Sequence, residues 1–274
     1  MKIKPKAPKA YKNIDFLNSG AARPVRILAE FLEPYDRFKR LKIESTIVFF
    51  GSARIKSDAE SNKILNEVLK KSKENPAKDY RDELDAARLQ VRLSKYYEDA
   101  VELSRLLTKW AMERADENGH QSHYICSGGG PGIMQAANQG AELAGGKSIG
   151  LNISIPLEQH PNPYISEELM FEFHYFFMRK YWFAYLAKAL IIFPGGFGTL
   201  DELMEILTLI QTKKITKFMP ILVFGQDYWK DVIDFEALVR WGTVSRADIE
   251  LLHFVNSPQE AFNLLAAKLG GVNP

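Results

Sequence analysis

Apolar residues in this 274-residue chain fall into short continuous runs separated by longer amphipathic stretches. Thr46-Ile47-Val48-Phe49-Phe50 is such a run and stops at Gly51. Without polar alternation it predicts a strand covered on both faces, as in a parallel sheet. His123–Ser127, Ser148–Ile153, Ala189–Phe193 and Pro220–Gly225 repeat the pattern, and Glu168–Tyr175 alternates like a further strand. Helical periodicity fills the intervals near Pro24–Lys39, 58–74, 79–118, Ile133–Ala144, 176–188, from Thr199 to about Lys213, and 258–269. The stretch 79–118 carries an apolar stripe: Leu84, Leu89, Leu93, Tyr96, Tyr97, Ala100, Leu103, Leu107 and Trp110. Asn75-Pro76 separates it from the helix before.

Strands alternating with helices predict an α/β fold: a doubly wound, Rossmann-like, mostly parallel sheet flanked by helices. Residues 57–95 read as a helical insertion after the first strand. Residues 1–22 read as a disordered basic arm, with Lys2, Lys4, Lys6, Lys9 and Lys12 around Pro5 and Pro8. The remainder, 23–274, reads as a single domain. Ligands of such sheets bind beyond the carboxyl ends of the strands, where the glycines at 51, 128–132 and 195–198 all fall.

Composition narrows the classes. A net charge of +2 gives no argument for nucleic acid or a membrane surface. The one cysteine, Cys126, excludes an intrachain disulfide and a cysteine-cluster metal site, and fits a reducing cytoplasm. The lysine-rich start lacks the apolar core of a signal peptide. The longest apolar stretch, Tyr181–Phe193, is broken by Lys188 and is too short to span a bilayer. The five histidines show no metal-ligand spacing, and no G-x-S-x-G elbow is present. Gly146-Lys147-Ser148 mimics the end of a P-loop, but Ala141 replaces the first glycine and the context is helix to strand.

The densest chemical signal is Pro194-Gly195-Gly196-Phe197-Gly198-Thr199-Leu200-Asp201-Glu202. Glycines at a strand-to-helix turn let the backbone approach a ligand and aim its N–H groups at an anion. Glu202 places a carboxylate beside that cradle. Thr199-x-x-Glu202 is equally a capping-box spacing, in which Glu202 only closes the helix end. A second glycine turn, Ser127-Gly128-Gly129-Gly130-Pro131-Gly132, lacks the dinucleotide fingerprint because Ile133 stands where its last glycine belongs. Met178-Arg179-Lys180 sets two cations among aromatic residues, which suits phosphate or carboxylate recognition, although a snorkelling surface pair is the plainer reading of these residues alone.

Together these residues resemble the LOG (Lonely Guy) family, cytokinin riboside 5′-monophosphate phosphoribohydrolases long labelled lysine decarboxylases. Pro194–Glu202 resembles its PGGxGTxxE signature, Arg179-Lys180 the end of MxxRK, and Gly128–Met134 its GGGxxGLM-like loop. Gly51-Ser52-Ala53-Arg54 and Leu151–Tyr164 are similar to the longer bacterial branch. Phe176 stands where MxxRK has methionine.

The resemblance implies hydrolysis of the N-glycosidic bond of purine nucleoside 5′-monophosphates, adenine-type or cytokinin, giving free base and ribose 5-phosphate. It implies Arg179 and Glu202 as catalytic residues. Gly195, Gly196, Gly198, Thr199, Gly129, Gly130, Ser52 and Lys180 are implied around the phosphate and ribose. No cofactor and no metal are implied, and a homodimer is. A non-catalytic nucleotide- or cofactor-binding protein of the same fold is the alternative. Lysine decarboxylation needs a pyridoxal-bearing lysine with its supporting site, and no such arrangement is recognisable in the sequence.

Overall fold

The computed structural model describes residues 7–156 and 160–271. In chain order the elements are α1 (Ile14–Asn18), α2 (Arg23–Arg40), β1 (Thr46–Phe50), α3 (Asp58–Glu74), α4 (Arg81–Met112), β2 (Tyr124–Ser127), α5 (Ile133–Leu143), β3 (Ser148–Ile153), β4 (Met170–Phe173), α6 (Phe176–Leu186), β5 (Ala187–Ile192), α7 (Phe197–Gln211), β6 (Ile221–Phe224), α8 (Gln226–Val232), α9 (Phe235–Arg240), α10 (Arg246–Ile249), β7 (Leu252–Val255) and α11 (Pro258–Leu269). The strands form one sheet in the order β4-β3-β2-β1-β5-β6-β7. Every strand pair is parallel, so the sheet is wholly rather than mostly so.

The strands' period of two sorts their apolar residues onto opposite faces. Val48, Phe50, Leu190, Ile192, Ile221 and Val223 pack with α2, α6, α7 and α8. Ile47, Phe49, Ile191, Phe193, Leu222 and Phe224 pack with α4, α5 and α11. All five residues of β1 are buried, which explains its unbroken apolar pattern.

Strand order reverses between β1 and β5, and the loops leaving them are joined there. Phe193 N donates to Phe50 O at 2.8 Å, and Ser52 N donates to Pro194 O at 3.0 Å. The glycine turn of 194–198 thus opens at the switch point.

One expectation shifts in the N-terminal half. Residues 10–22, expected as part of a disordered arm, form helical turns, tied down because Arg26 donates to Leu17 O and Ser19 O at 2.5 and 2.7 Å. Residues 1–6 lie outside the described residues. The helix expected over 79–118 forms as α4, one unbroken run of 32 residues that carries both the second arm of the insertion and the crossover. At 1.5 Å per residue it is roughly 48 Å long, against about 17 Å for the five residues of β1. Tyr96 of α4 packs under Gly225, at the carboxyl end of β6. The residues before it therefore overhang the edge of the sheet where the glycine turns lie.

Candidate active site

The two glycine turns differ in construction. In the turn after β2, Gly129 and Gly132 have φ of +73° and +70°, where only glycine is at ease. A Cβ on Gly129 would strike the Asn152 amide, and one on Gly132 would strike Ser52 O. The turn is laced from inside. Ser127 Oγ accepts from Gly129 N at 3.1 Å and donates to Asn138 at 2.7 Å. Asn162 donates its backbone N to Gly129 O at 2.8 Å, and its amide to Gly129 O and Gly130 O at 3.0 and 3.1 Å.

The turn after β5 is open. α7 begins at Phe197 with Gly196 as its cap residue and no side-chain cap. Its first amides therefore lack intrahelical partners. Gly196 and Gly198 have no neighbour near where a Cβ would stand, and neither has a positive φ. No contact within the described chain calls for glycine at these two positions. Gly195 differs: a Cβ there would collide with Thr199, and its carbonyl accepts from the Tyr228 hydroxyl at 2.9 Å.

The capping-box reading of Thr199-x-x-Glu202 does not hold. Thr199 is the third residue of α7, and Glu202 lies in the second turn. Both are buried, 6% and 5% exposed. Glu202 instead faces α6, with Oε1 4.0 Å from Arg179 Nη2 and Oε2 3.7 Å from Lys180 Nζ. Burial pushes its carboxyl up to about 7, against the pull of Lys180 and Arg179. Glu202 therefore changes charge near neutral pH.

Arg179 lies 5.2 and 5.6 Å from the ring centroids of Phe176 and Phe183. Burial lowers its pKa, although Glu202, Asp201 and Glu172 pull the other way. Its Nε is buried without a partner. A buried guanidinium with a free donor, held between rings, is prepared to receive an anion or a ribose oxygen.

A cavity of about 740 Å³ unites these groups, within the size range of small-molecule sites. Of the residues expected from sequence, Ser52, Arg179, Gly195, Gly196, Gly198, Thr199 and Glu202 line it. Gly129, Gly130 and Lys180 do not; Gly128 and Met134 represent the second glycine turn there. Lys180 points into a neighbouring groove between α6 and α7. Phe176 and Arg54, noted in the motifs but given no role, also line the cavity, as do Phe183, Leu93 and Tyr228, which sequence reasoning did not place in the site. Among the described residues no cluster of three or more His, Cys, Asp or Glu side chains is arranged to hold a metal ion.

Residues 134–265 match the family model described as "Possible lysine decarboxylase". The match takes in 132 of the 274 residues, just under half of the chain. The matched segment contains Arg179, the open glycine turn and Glu202, while Ser52 and residues 128–130 lie before it. The chain is similar to the pyrimidine/purine nucleotide 5′-monophosphate nucleosidases of Escherichia coli K12 and O157:H7. It is 29% identical to each over 139 residues, 46% of this chain and 30% of theirs. It thus spans less than a third of these curated relatives. Among solved structures it is similar to the structural-genomics target TM1055 (TM-score 0.47, 18% identity, 81% of this chain and 99% of that one). It is also similar to the Moco carrier protein from Chlamydomonas reinhardtii (TM-score 0.42, 15% identity, 84% and 99%).

Proposed function

We propose that the chain is a nucleoside 5′-monophosphate phosphoribohydrolase, releasing free base and ribose 5-phosphate. The observation that carries this reading is one cavity holding both an uncapped, glycine-lined helix N-terminus and the buried Arg179–Glu202 pair. The family match and the nucleosidase likeness support the reaction class.

The substrate phosphate sits on the amides of residues 196–199, with the positive end of α7 behind it. Holding the remote phosphate orients the glycosidic bond beside Glu202. Cleavage builds positive charge on the ribose ring, as in other glycoside hydrolyses. Ionised Glu202 stabilises that charge and accepts a proton from the attacking water. The pair's low exposure strengthens both effects. Arg179 fixes the ribose phosphate and the carboxylate relative to each other.

The active unit is proposed to be a homodimer. α6 is apolar on nearly every side, yet Phe177, Tyr181 and Tyr185 are 37–51% exposed. A helix of that composition is ordinarily covered all round. No helix among the described residues is long and apolar enough to cross a membrane, and a cytoplasmic setting is proposed from the cysteine usage.

The test is incubation with AMP, cytokinin-type monophosphates and adenosine, following base and ribose 5-phosphate. Hydrolysis of monophosphates, lost in Glu202→Ala and far slower on adenosine, is expected. Equal background from wild type and Glu202→Ala on every monophosphate sinks the hydrolase reading in favour of a non-catalytic binder. Equal rates on AMP and adenosine sink the phosphate anchor.

A further inference from the structure

Residues 179 and 180 are neighbours in α6, so their side chains leave the helix about 100° apart. Arg179 enters the cavity, whereas Lys180 turns into the α6–α7 groove. There its Nζ stands 2.8 Å from Asp201, 2.6 Å from Glu205 and 3.7 Å from Glu202. Asp201 and Glu205 are one turn apart on α7 and both reach Lys180, while Glu202 lines the cavity. One ammonium is thus shared among three carboxylates on one side of α7. Burial lowers the pKa of Lys180, but its hydrogen bonds to Asp201 and Glu205 outweigh this, and it stays protonated.

We propose that Lys180 is a positioning residue that governs the charge on Glu202 from behind the cavity wall, and is not a ligand for the substrate. The inference rests on the reading of Glu202 as the site carboxylate. The charged groups facing Glu202 are Arg179 and Lys180 from α6 and Asp201 and Glu205 from α7. Glu172 of β4 acts on Arg179 in turn. Without Lys180 only Arg179 opposes the flanking carboxylates, and Glu202 holds its proton to higher pH. Without Glu205 the ammonium is freed toward Glu202, which loses its proton at lower pH.

The test is an NMR titration of protein carrying ¹³C at the glutamate carboxyls, with the Glu202 signal assigned by its loss in Glu202→Gln. Lys180→Met should raise the Glu202 midpoint by about one pH unit or more. Lys180→Arg should restore it, and Glu205→Gln should lower it. The acid limb of kcat/KM for AMP should move in step. Unmoved midpoints in both Lys180→Met and Glu205→Gln overturn the proposal. So does a Met variant with an unmoved midpoint and a KM for AMP raised more than about tenfold. Should Lys180→Met not fold, the surface substitution Glu205→Gln carries the test. Midpoints that move in a protein without hydrolytic activity uphold Lys180's role and refute the phosphoribohydrolase reading.

Discussion

The turns at 128–132 and 194–198 look alike in sequence, both glycine-rich and both between a strand and a helix. In the first, glycine is required from within. Positive φ angles and the close approach of Asn152 and Ser52 leave no room for a side chain. In the second, Gly196 and Gly198 face empty space with no positive φ. A glycine explained by the fold is evidence about folding. One that the fold leaves unexplained is evidence about something the chain binds.

The largest expected effect tests what the open turn serves. Glu202→Gln should lower kcat for AMP by about 10²–10⁴-fold, the range for removing a positioned acid–base group, with little change in KM. A parallel loss in Gly129→Ala without loss of fold would erase the distinction between the turns.

Stability separates them next. Gly132→Ala forces an alanine to positive φ and into Ser52 O, and should cost about 2–4 kcal/mol in urea unfolding. Gly198→Ala adds a better helix former where nothing is in the way. It should leave stability unchanged or raise it by up to about 1 kcal/mol, while raising KM for AMP. If both alanines destabilise alike, the open turn has a structural need for glycine after all.

Glu202 supplies a pH signature on the same side of the comparison. Its folded-state value, about 7, lies above the ordinary 4.5. Between those values the folded chain binds more protons than the unfolded one, so stability falls as pH rises. The contribution is intact below about pH 4.5 and lost through about pH 7. Measured against Glu202→Gln, wild type should lose on the order of 2 kcal/mol across this window. A flat difference would mean that Glu202 does not titrate as a buried carboxyl. The smallest effect concerns Tyr228, whose hydroxyl holds Gly195 O. Tyr228→Phe should cost about 1 kcal/mol of stability and raise KM a few-fold.

The frame was legible because parallel strands buried on both faces print as unbroken apolar runs, and β1, β3 and α11 emerge with the expected bounds. β7 was missed because it is a four-residue edge strand with only Leu252 and Val255 buried. α8 was missed because seven residues hold too few turns for periodicity; Trp229, wholly buried and bonded to Phe224 O, secures it instead. In the site, motif spacing picks out Arg179, Glu202 and the glycines but not direction. Whether Lys180 faces cavity or groove depends on the rotation of α6 against α7, and Leu93, legible as part of an apolar stripe, reaches the cavity only because of where α4 crosses the sheet edge. Neither fact is written in a local pattern.

The length of α4 has a practical consequence. Leu93 stands twelve residues from the start of α4, about 18 Å along it. Residues 75–79, at the tip where α3 turns into α4, are exposed. An affinity tag, fluorophore or surface tether spliced between Asn75 and Asp79 would therefore stand clear of the cavity. The molecule carries its own handle, and activity should survive its use.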